Sequence, residues 1–480
     1  TGRTALLAEA LRRLGILRHQ RNDPAAARRL CSRSYAVARD IGEDLLAAEA
    51  LNALGGIALE TDAVAEARRH FLRALELGGR RRTLGARVEQ NLGILANIQG
   101  DFDEARSRYQ RSLDLYRAAD DEHGCAIAYH NLGMVSTDRR EFAAAERFFR
   151  RSREIAERTG DAYLRGLCLT NHAKVYLARG RYADARRVTE AALVLFDQLG
   201  VGSAKADAYR VLGMIERETG RPALAEARLR SAIELAVRAG SVLNEAEASR
   251  ELAILCQASG RNQQALTLLG AAHRLFGRLE ARAALVHVEG KIAELEAAYL
   301  AVVRAWGQSI ETADTYTFGH CERVARHGVA LARALGLDEH AQTTIRLGAY
   351  LHDLGKVRVP HEILSKPGPL TRDETAVVQM HPIWGIELLA EVAFPWDLKP
   401  IIRWHHERYD GTGYPDGLSG DAIPLFAQIV GLVDVYDALT TARPYRPAFT
   451  RGEALAQMAG ARSWWSEAVF NAFQPEVLGP

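Results

Sequence analysis

No stretch of this chain approaches the ~20 consecutive apolar residues that a membrane-spanning helix needs, so the sequence offers no transmembrane segment. It also lacks an initiating methionine and a leader-like segment. It opens Thr1-Gly2-Arg3 and is read as continuing upstream, which leaves targeting undefined. Cysteine is scarce: Cys31, Cys125, Cys168, Cys256 and Cys321 are the five, none in CxxC spacing. That usage fits free thiols in a reducing cytoplasm. Runs of one charge sign are nearly absent; only Arg80-Arg81-Arg82 stands out. Arginine is otherwise interleaved with glutamate along helices, which reads as a solvated face rather than a surface for a nucleic-acid polymer. The C-terminal third shows no convincing strand alternation, so the expected fold is all-α.

What is present points to two or more domains in 480 residues. The near-neutral total hides a split. Residues 308–480 hold 15 Lys+Arg against 21 Asp+Glu, a balance of −6, and residues 1–307 are net +8. An acidic C-terminal third cannot draw in an anionic substrate by its overall field, so local cations must do so.

The first 270 residues repeat themselves. A Leu-Gly pair or its equivalent recurs at Leu14, Leu54, Leu92, Leu132, His172, Leu212 and Leu252, about every 40 residues. Thirteen residues after each comes an alanine, from Ala27 to Ala265. Small residues at fixed offsets let paired helices approach closely. Gly100, Gly180, Gly220 and Gly260 fall between helices, where a turn needs a permissive backbone. Each unit therefore reads as helix–turn–helix, the first as 4–19 and 24–40, with Pro24 at a helix start. The seven units over 1–270 resemble tetratricopeptide repeats in a 40-residue form. Such arrays stack into a superhelix whose concave face suits an unidentified protein or peptide partner.

A connector over 271–310 follows. Leu285, Val288, Ile292, Leu295, Tyr299, Val302 and Trp306 step 3,4,3,4,3,4, a heptad. Two readings stay open: a helix capping the repeat stack, or a homodimer helix through 283–309.

Chemistry concentrates further on. His352-Asp353-Leu354-Gly355-Lys356 precedes His405-His406-Glu407 and Gly413-Tyr414-Pro415. Imidazole and carboxylate together suit divalent metals such as iron and manganese. In order, Gly319-His320, His352-Asp353, His381-Pro382, His405-His406, Asp434 and Arg443-Pro444-Tyr445-Arg446 resemble the HD-GYP family of bacterial cyclic di-GMP phosphodiesterases. The resemblance covers about 310–480, so 311–480 is expected to be the catalytic domain. Helices are expected at 311–336, 339–354, 372–392, 398–408 and 425–441, around a Pro-rich loop at 357–370 and the GYP loop at 409–424.

The resemblance implies a metal-ligand set of His320, His352, Asp353, His381, His405, His406 and Asp434, with Asp353 bridging two ions. Seven ligands exceed what one ion takes. Some members hold a third ion through a glutamate four residues before the opening histidine; Tyr316 stands there, so two are expected. The resemblance gives Lys356 a phosphate contact beside the catalytic Asp353, and gives Arg443 and Arg446 substrate contacts; Tyr414 offers a ring for base stacking or packing. Asp437, one turn beyond Asp434, is placed to support a metal histidine. The expected function is hydrolysis of cyclic di-GMP to pGpG or GMP under control of the repeat array. The alternative is a catalytically weak dinucleotide sensor or scaffold. The family's closing Phe-Asp-Pro reads Phe473-Gln474-Pro475 here.

Overall fold

The computed structural model describes residues 2–20, 23–61, 63–313, 319–366, 368–390, 392, 394–442 and 447–473. Among them there are helices and no strands. The chain divides into two compact units, 1–292 and 293–480.

The first unit is a run of antiparallel helix pairs. The pairs are α1 (Gly2–Gln20) with α2 (Pro24–Asp40), α3 (Asp44–Glu60) with α4 (Val64–Gly78), and α5 (Arg82–Gln99) with α6 (Phe102–Ala118). Next come α7 (Glu122–Asp138) with α8 (Phe142–Thr159), and α9 (Ala162–Ala178) with α10 (Tyr182–Leu199). The last two are α11 (Gly202–Glu218) with α12 (Pro222–Arg238), and α13 (Val242–Ala258) with α14 (Asn262–Arg278). Odd-numbered helices also touch the next odd-numbered helix, and so line one continuous face.

The small-residue pattern explains the pairing. A Cβ on Gly93 would lie 2.6 Å from the Tyr109 ring, and one on Gly133 2.5 Å from Phe149. Each glycine is the hollow into which the partner helix sets an aromatic side chain. Phe71, Tyr109, Phe149 and Phe196 are fully buried this way, and Phe276 is fully buried as well. Burial of each contributes about 2–3 kcal/mol. The alanines 27, 67, 105, 145, 185, 225 and 265 are wholly inaccessible. Gly100 adopts φ 84°, the left-handed turn conformation.

The connector is longer than its heptad suggests: α15 runs Arg282–Ala313. Its buried stripe also departs from the heptad. Val288 and Leu295 are buried, but Val302 is 51% exposed and Trp306 38%, while Val303 is fully buried. A straight helix turns every 3.6 residues, so a 3.5-residue register slips by one position along its length.

In the second unit, α16 (His320–Ala334) and α17 (Glu339–Leu351) pack together. A 3₁₀ turn at Leu354–Arg358 leads to α18 (His361–Leu364), α19 (Arg372–Val378), α20 (His381–Leu388) and α21 (Lys399–Trp404). Then come α22 (Leu425–Thr440), α23 (Arg451–Gly460) and α24 (Glu467–Ala472). Two expected helices are corrected. Residues 311–313 of the one over 311–336 belong to α15, and a separate helix begins at His320, after Gly319 with φ 72°. The one over 372–392 breaks at Gln379-Met380, because Pro382 in the first turn of α20 cannot continue a preceding helix. Tyr316, Arg443, Arg446, Gln474 and Pro475 lie outside the described residues. No helix of the described residues is long and apolar enough to cross a membrane.

Candidate metal centre

Local structure brings the histidines together. Asp338 caps α17 by accepting a hydrogen bond from the Ala341 amide at 2.8 Å. Ile345, Leu347 and Leu351 anchor the helix in the core with no exposure. It stops at Leu351, so His352 and Asp353 stand where the backbone tightens into the 3₁₀ turn. There a Cβ on Gly355 would lie 1.9 Å from the His381 carbonyl oxygen. On the opposite wall, a Cβ on Gly431 of α22 would lie 2.2 Å from the His405 carbonyl oxygen. Glycine at both points lets the end of α17, the start of α20, the end of α21 and the middle of α22 converge.

Two donor sets result. Asp353, His381, His405 and His406 each offer one ligand atom within 4.8 Å of one another, and so do His320, His352 and Asp353. Asp353 belongs to both. Asp434 adds a carboxylate beside the second set, its Oδ1 3.2 Å from His320 Nε2 and 3.9 Å from His352 Nε2.

The histidines suit a metal ion on the orientation of their protons. His352 Nδ1 donates to the Ala349 carbonyl at 2.6 Å, His381 Nδ1 to Val378 at 2.7 Å, and His405 Nδ1 to Ile402 at 3.0 Å. A proton on Nδ1 leaves Nε2 with a bare lone pair. The Nε2 atoms of His381 and His405 face each other at 3.3 Å. His352 Nε2 is buried without a hydrogen-bond partner. Converging lone pairs repel unless a cation lies between them, and backbone-anchored imidazoles are the usual metal-ligand geometry. Burial pushes His381 down to about 4 and His406 to about 3, and holds His405 well below its ordinary value. All three are neutral and ready to ligate.

His320 is held differently. Burial alone would lower it, but hydrogen bonds to Asp434 and Asp437 raise it to about 10. Its Nδ1 lies 2.7 Å from Asp437 Oδ2. Asp437 in turn accepts from Arg323 Nε at 2.6 Å and Nη2 at 3.0 Å. Burial opposes ionisation of Asp353 and Asp434, yet Lys356 and His352 beside the first, and His320 beside the second, keep both carboxyls below their usual range. Replacing Asp437 with asparagine is expected to weaken metal affinity about 10–100-fold, the usual cost of removing a ligand's hydrogen-bond partner. Titration of apo protein with Mn²⁺ checks it, and unchanged affinity would make the Asp437 contact incidental.

The other residues singled out from sequence are placed as follows. Lys356 Nζ donates to Asp353 Oδ2 at 2.6 Å. The Tyr414 ring stacks on His406 at 4.8 Å between centroids. Arg443 and Arg446 lie outside the described residues. Sequence reasoning missed Arg323, though its position three residues after His320, on the same helix face, was a usable signal. It also missed Glu407, whose Oε1 accepts the backbone N–H groups of Asp416 at 2.7 Å and Gly417 at 3.0 Å. Asp416 is further clamped by Arg403 at 2.7 Å. These contacts fix the GYP loop, and nothing in their sequence spacing announces them.

Comparison with known proteins places the domain. Residues 308–466 match the HD domain family, and residues 83–158, 124–198 and 165–236 match the tetratricopeptide repeat family. The chain is 46% identical over 157 residues to the cyclic di-GMP phosphodiesterase response regulator RpfG of Xanthomonas campestris, covering 32% of this chain and 42% of that one. It is 38% identical over 185 residues to 3'3'-cGAMP-specific phosphodiesterase 3 of Vibrio cholerae, covering 38% and 39%. Similarity to a cyclic di-GMP phosphodiesterase of Thermotoga maritima is 35% over 170 residues, covering 35% and 44%. The chain thus spans about two-fifths of each of these relatives. Family match and helix architecture together show that this chain carries a C-terminal HD domain, over residues 308–466, behind tetratricopeptide repeats.

Proposed function

We propose that the C-terminal unit is a phosphodiesterase that hydrolyses cyclic di-GMP to pGpG or GMP with two divalent ions, iron or manganese. One observation carries the reading: Asp353 is common to two donor sets that meet in one buried cluster. His320, His352, Asp353 and Asp434 would hold one ion; Asp353, His381, His405 and His406 would hold the other. Paired ions in such a site supply Lewis acidity toward a phosphate and an activated water. The chain's own contribution is to keep His381, His405 and His406 neutral, to aim His352, His381 and His405 through backbone hydrogen bonds, and to hold Lys356 at the edge of the cluster. Relatives named as phosphodiesterases of cyclic dinucleotides support the substrate class. The test is to incubate manganese-loaded protein with cyclic di-GMP and separately with 3'3'-cGAMP, then separate the products by chromatography. Absence of product from both would leave the dinucleotide-sensor reading in its place.

Lys356→Ala is expected to retain its metal and lose about 10²–10³ in rate, the usual cost of ~2–4 kcal/mol for one preorganised electrostatic contact. Full turnover in the variant would confine Lys356 to holding Asp353. The repeat array is read as the control element. Two glycines inserted after the exposed Gly290 of α15 should change turnover at least about fivefold, the lower end of typical coupling between sites. An unchanged rate would make the array a tether.

A further inference from the structure

The repeat unit closes on itself at one point. Gln99 Nε2, at the end of α5, donates to Glu280 at 3.1 Å across 181 residues of sequence. Next to it, a Cβ on Gly100 would lie 2.7 Å from the Ala283 Cβ in the first turn of α15. The concave face of α5, α7, α9, α11 and α13 is thereby roofed into a chamber of about 440 Å³. That is the size of a small-molecule or short-peptide site rather than a groove for a folded partner.

The chamber's charges are unequal in their pairing. Its walls carry three carboxylates, Asp138, Asp207 and Glu247, and two permanent cations, Lys174 and Arg250. Both cations are already satisfied. Lys174 Nζ bonds Asp207 at 2.9 Å, and Arg250 lies 3.2 Å from the buried Glu251. Glu247 is paired with Arg210 at 2.8 Å. Asp138 alone of the three has no cation within 4 Å among the described residues. Asp138 is an exposed residue whose carboxylate accepts a hydrogen bond from the Asn97 side chain, and desolvation on its chamber side pushes its carboxyl up to about 6, against the pull of Lys174. Asn97, also in the wall, has a side-chain oxygen buried with no hydrogen-bond partner. One acceptor without a donor, the Asn97 side-chain oxygen, and one carboxylate without a cation, Asp138, therefore face a chamber that Phe102, Met134, Leu167 and Phe276 otherwise line with apolar surface.

We infer that this chamber binds a ligand bearing an ammonium group on an aliphatic stem, seated on Asp138 with its methylenes along the apolar wall. An ammonium brings a charge to the carboxylate that no cation pairs, and donors for it and for the Asn97 oxygen, and the stem buries as lysine stems do. The group could come from a free polyamine or from a basic peptide segment. The inference rests on reading the concave face as a binding surface, and it is independent of the hydrolase reading.

The test is calorimetric titration of the full chain with spermidine, with the peptide Ala-Lys-Ala-Lys-Ala and with Ala-Glu-Ala-Glu-Ala. At least one cationic probe should bind, Asp138→Asn should weaken it about tenfold or more, and Asp114→Asn, an acid on the exposed face of α6, should not. Which cationic probe binds identifies the source. Met134→Trp, which fills the chamber from α7, should also abolish binding and carries the test if Asp138→Asn does not fold. Failure of both cationic probes, or equal binding of the acidic peptide, overturns the proposal. Cation binding indifferent to Asp138→Asn also overturns it, while leaving the concave face a binding surface.

Discussion

Asp353→Ala is expected to empty both metal positions and to lower turnover by on the order of 10³ or more, since the ion pair contributes several kcal/mol of charge stabilisation. The reason is topological. Asp353 is the one residue present in both donor sets, whereas His381, His405 and His406 serve one set and His320 and His352 the other. Removing it leaves two imidazoles and Asp434 on one side and three imidazoles on the other. It also removes one of the two carboxylates that would offset the charge of two bound dications. His406→Ala, by contrast, should lose one ion and keep the other. Elemental analysis of the two variants side by side separates the cases. If Asp353→Ala keeps two ions, or if His406→Ala loses both, the shared-carboxylate reading is wrong.

Gly355→Ala should be the most damaging single-methyl change in the HD unit. The added carbon would lie 1.9 Å from the His381 carbonyl oxygen and 2.7 Å from the Gly385 amide nitrogen. Both are backbone atoms, so no side chain can rotate away. The 3₁₀ turn and α20 must separate, and each carries a member of the cluster: Asp353 lies two residues before Gly355, and His381 opens α20. Overpacking of this kind typically costs ~1–3 kcal/mol, occasionally more. For a unit of this size that corresponds to a melting temperature lower by roughly 2–12 °C, accompanied by loss of tight metal binding. Thermal melting with and without Mn²⁺ measures both. A variant with unchanged melting and metal affinity would show that the turn is free to shift.

The contrast between Asp353 and Gly355 marks how far the site was legible. The ligand candidates stood out in sequence because metal chemistry restricts residue type: histidine pairs and His-Asp strings are rare, and their order is informative. The supporting groups use common residues and long-range contacts. Arg323 meets Asp437 across 114 residues, and Glu407 meets backbone amides that any residue would supply. Asp437 was legible only because it lies one turn from Asp434 on α22. The helix boundaries around the cluster were partly legible. Pro382 was visible as a breaker, but the expected helix ran through it, placing His381 inside a helix rather than at the start of one.

In the repeat unit, periodicity alone determined that helices come in pairs about every 40 residues, because a small-residue hollow recurs at the same offset to receive a side chain of the partner helix: an aromatic ring at Gly55, Gly93 and Gly133, Cys31 at Gly15 and Leu229 at Gly213. The ordered histidines and aspartates likewise pointed to metal binding, because few other side chains bind such metals. Only the tertiary structure decided where the chain closes on itself at Gln99 and Glu280, which carboxylate is left without a cation, and which face of α15 is buried. It also decided that Asp353 lies in two donor sets at once. The physical reason is common to all four: they depend on distances between residues far apart in sequence. Those distances are set by how closely glycine lets backbones approach and by a helical period that drifts from any simple repeat.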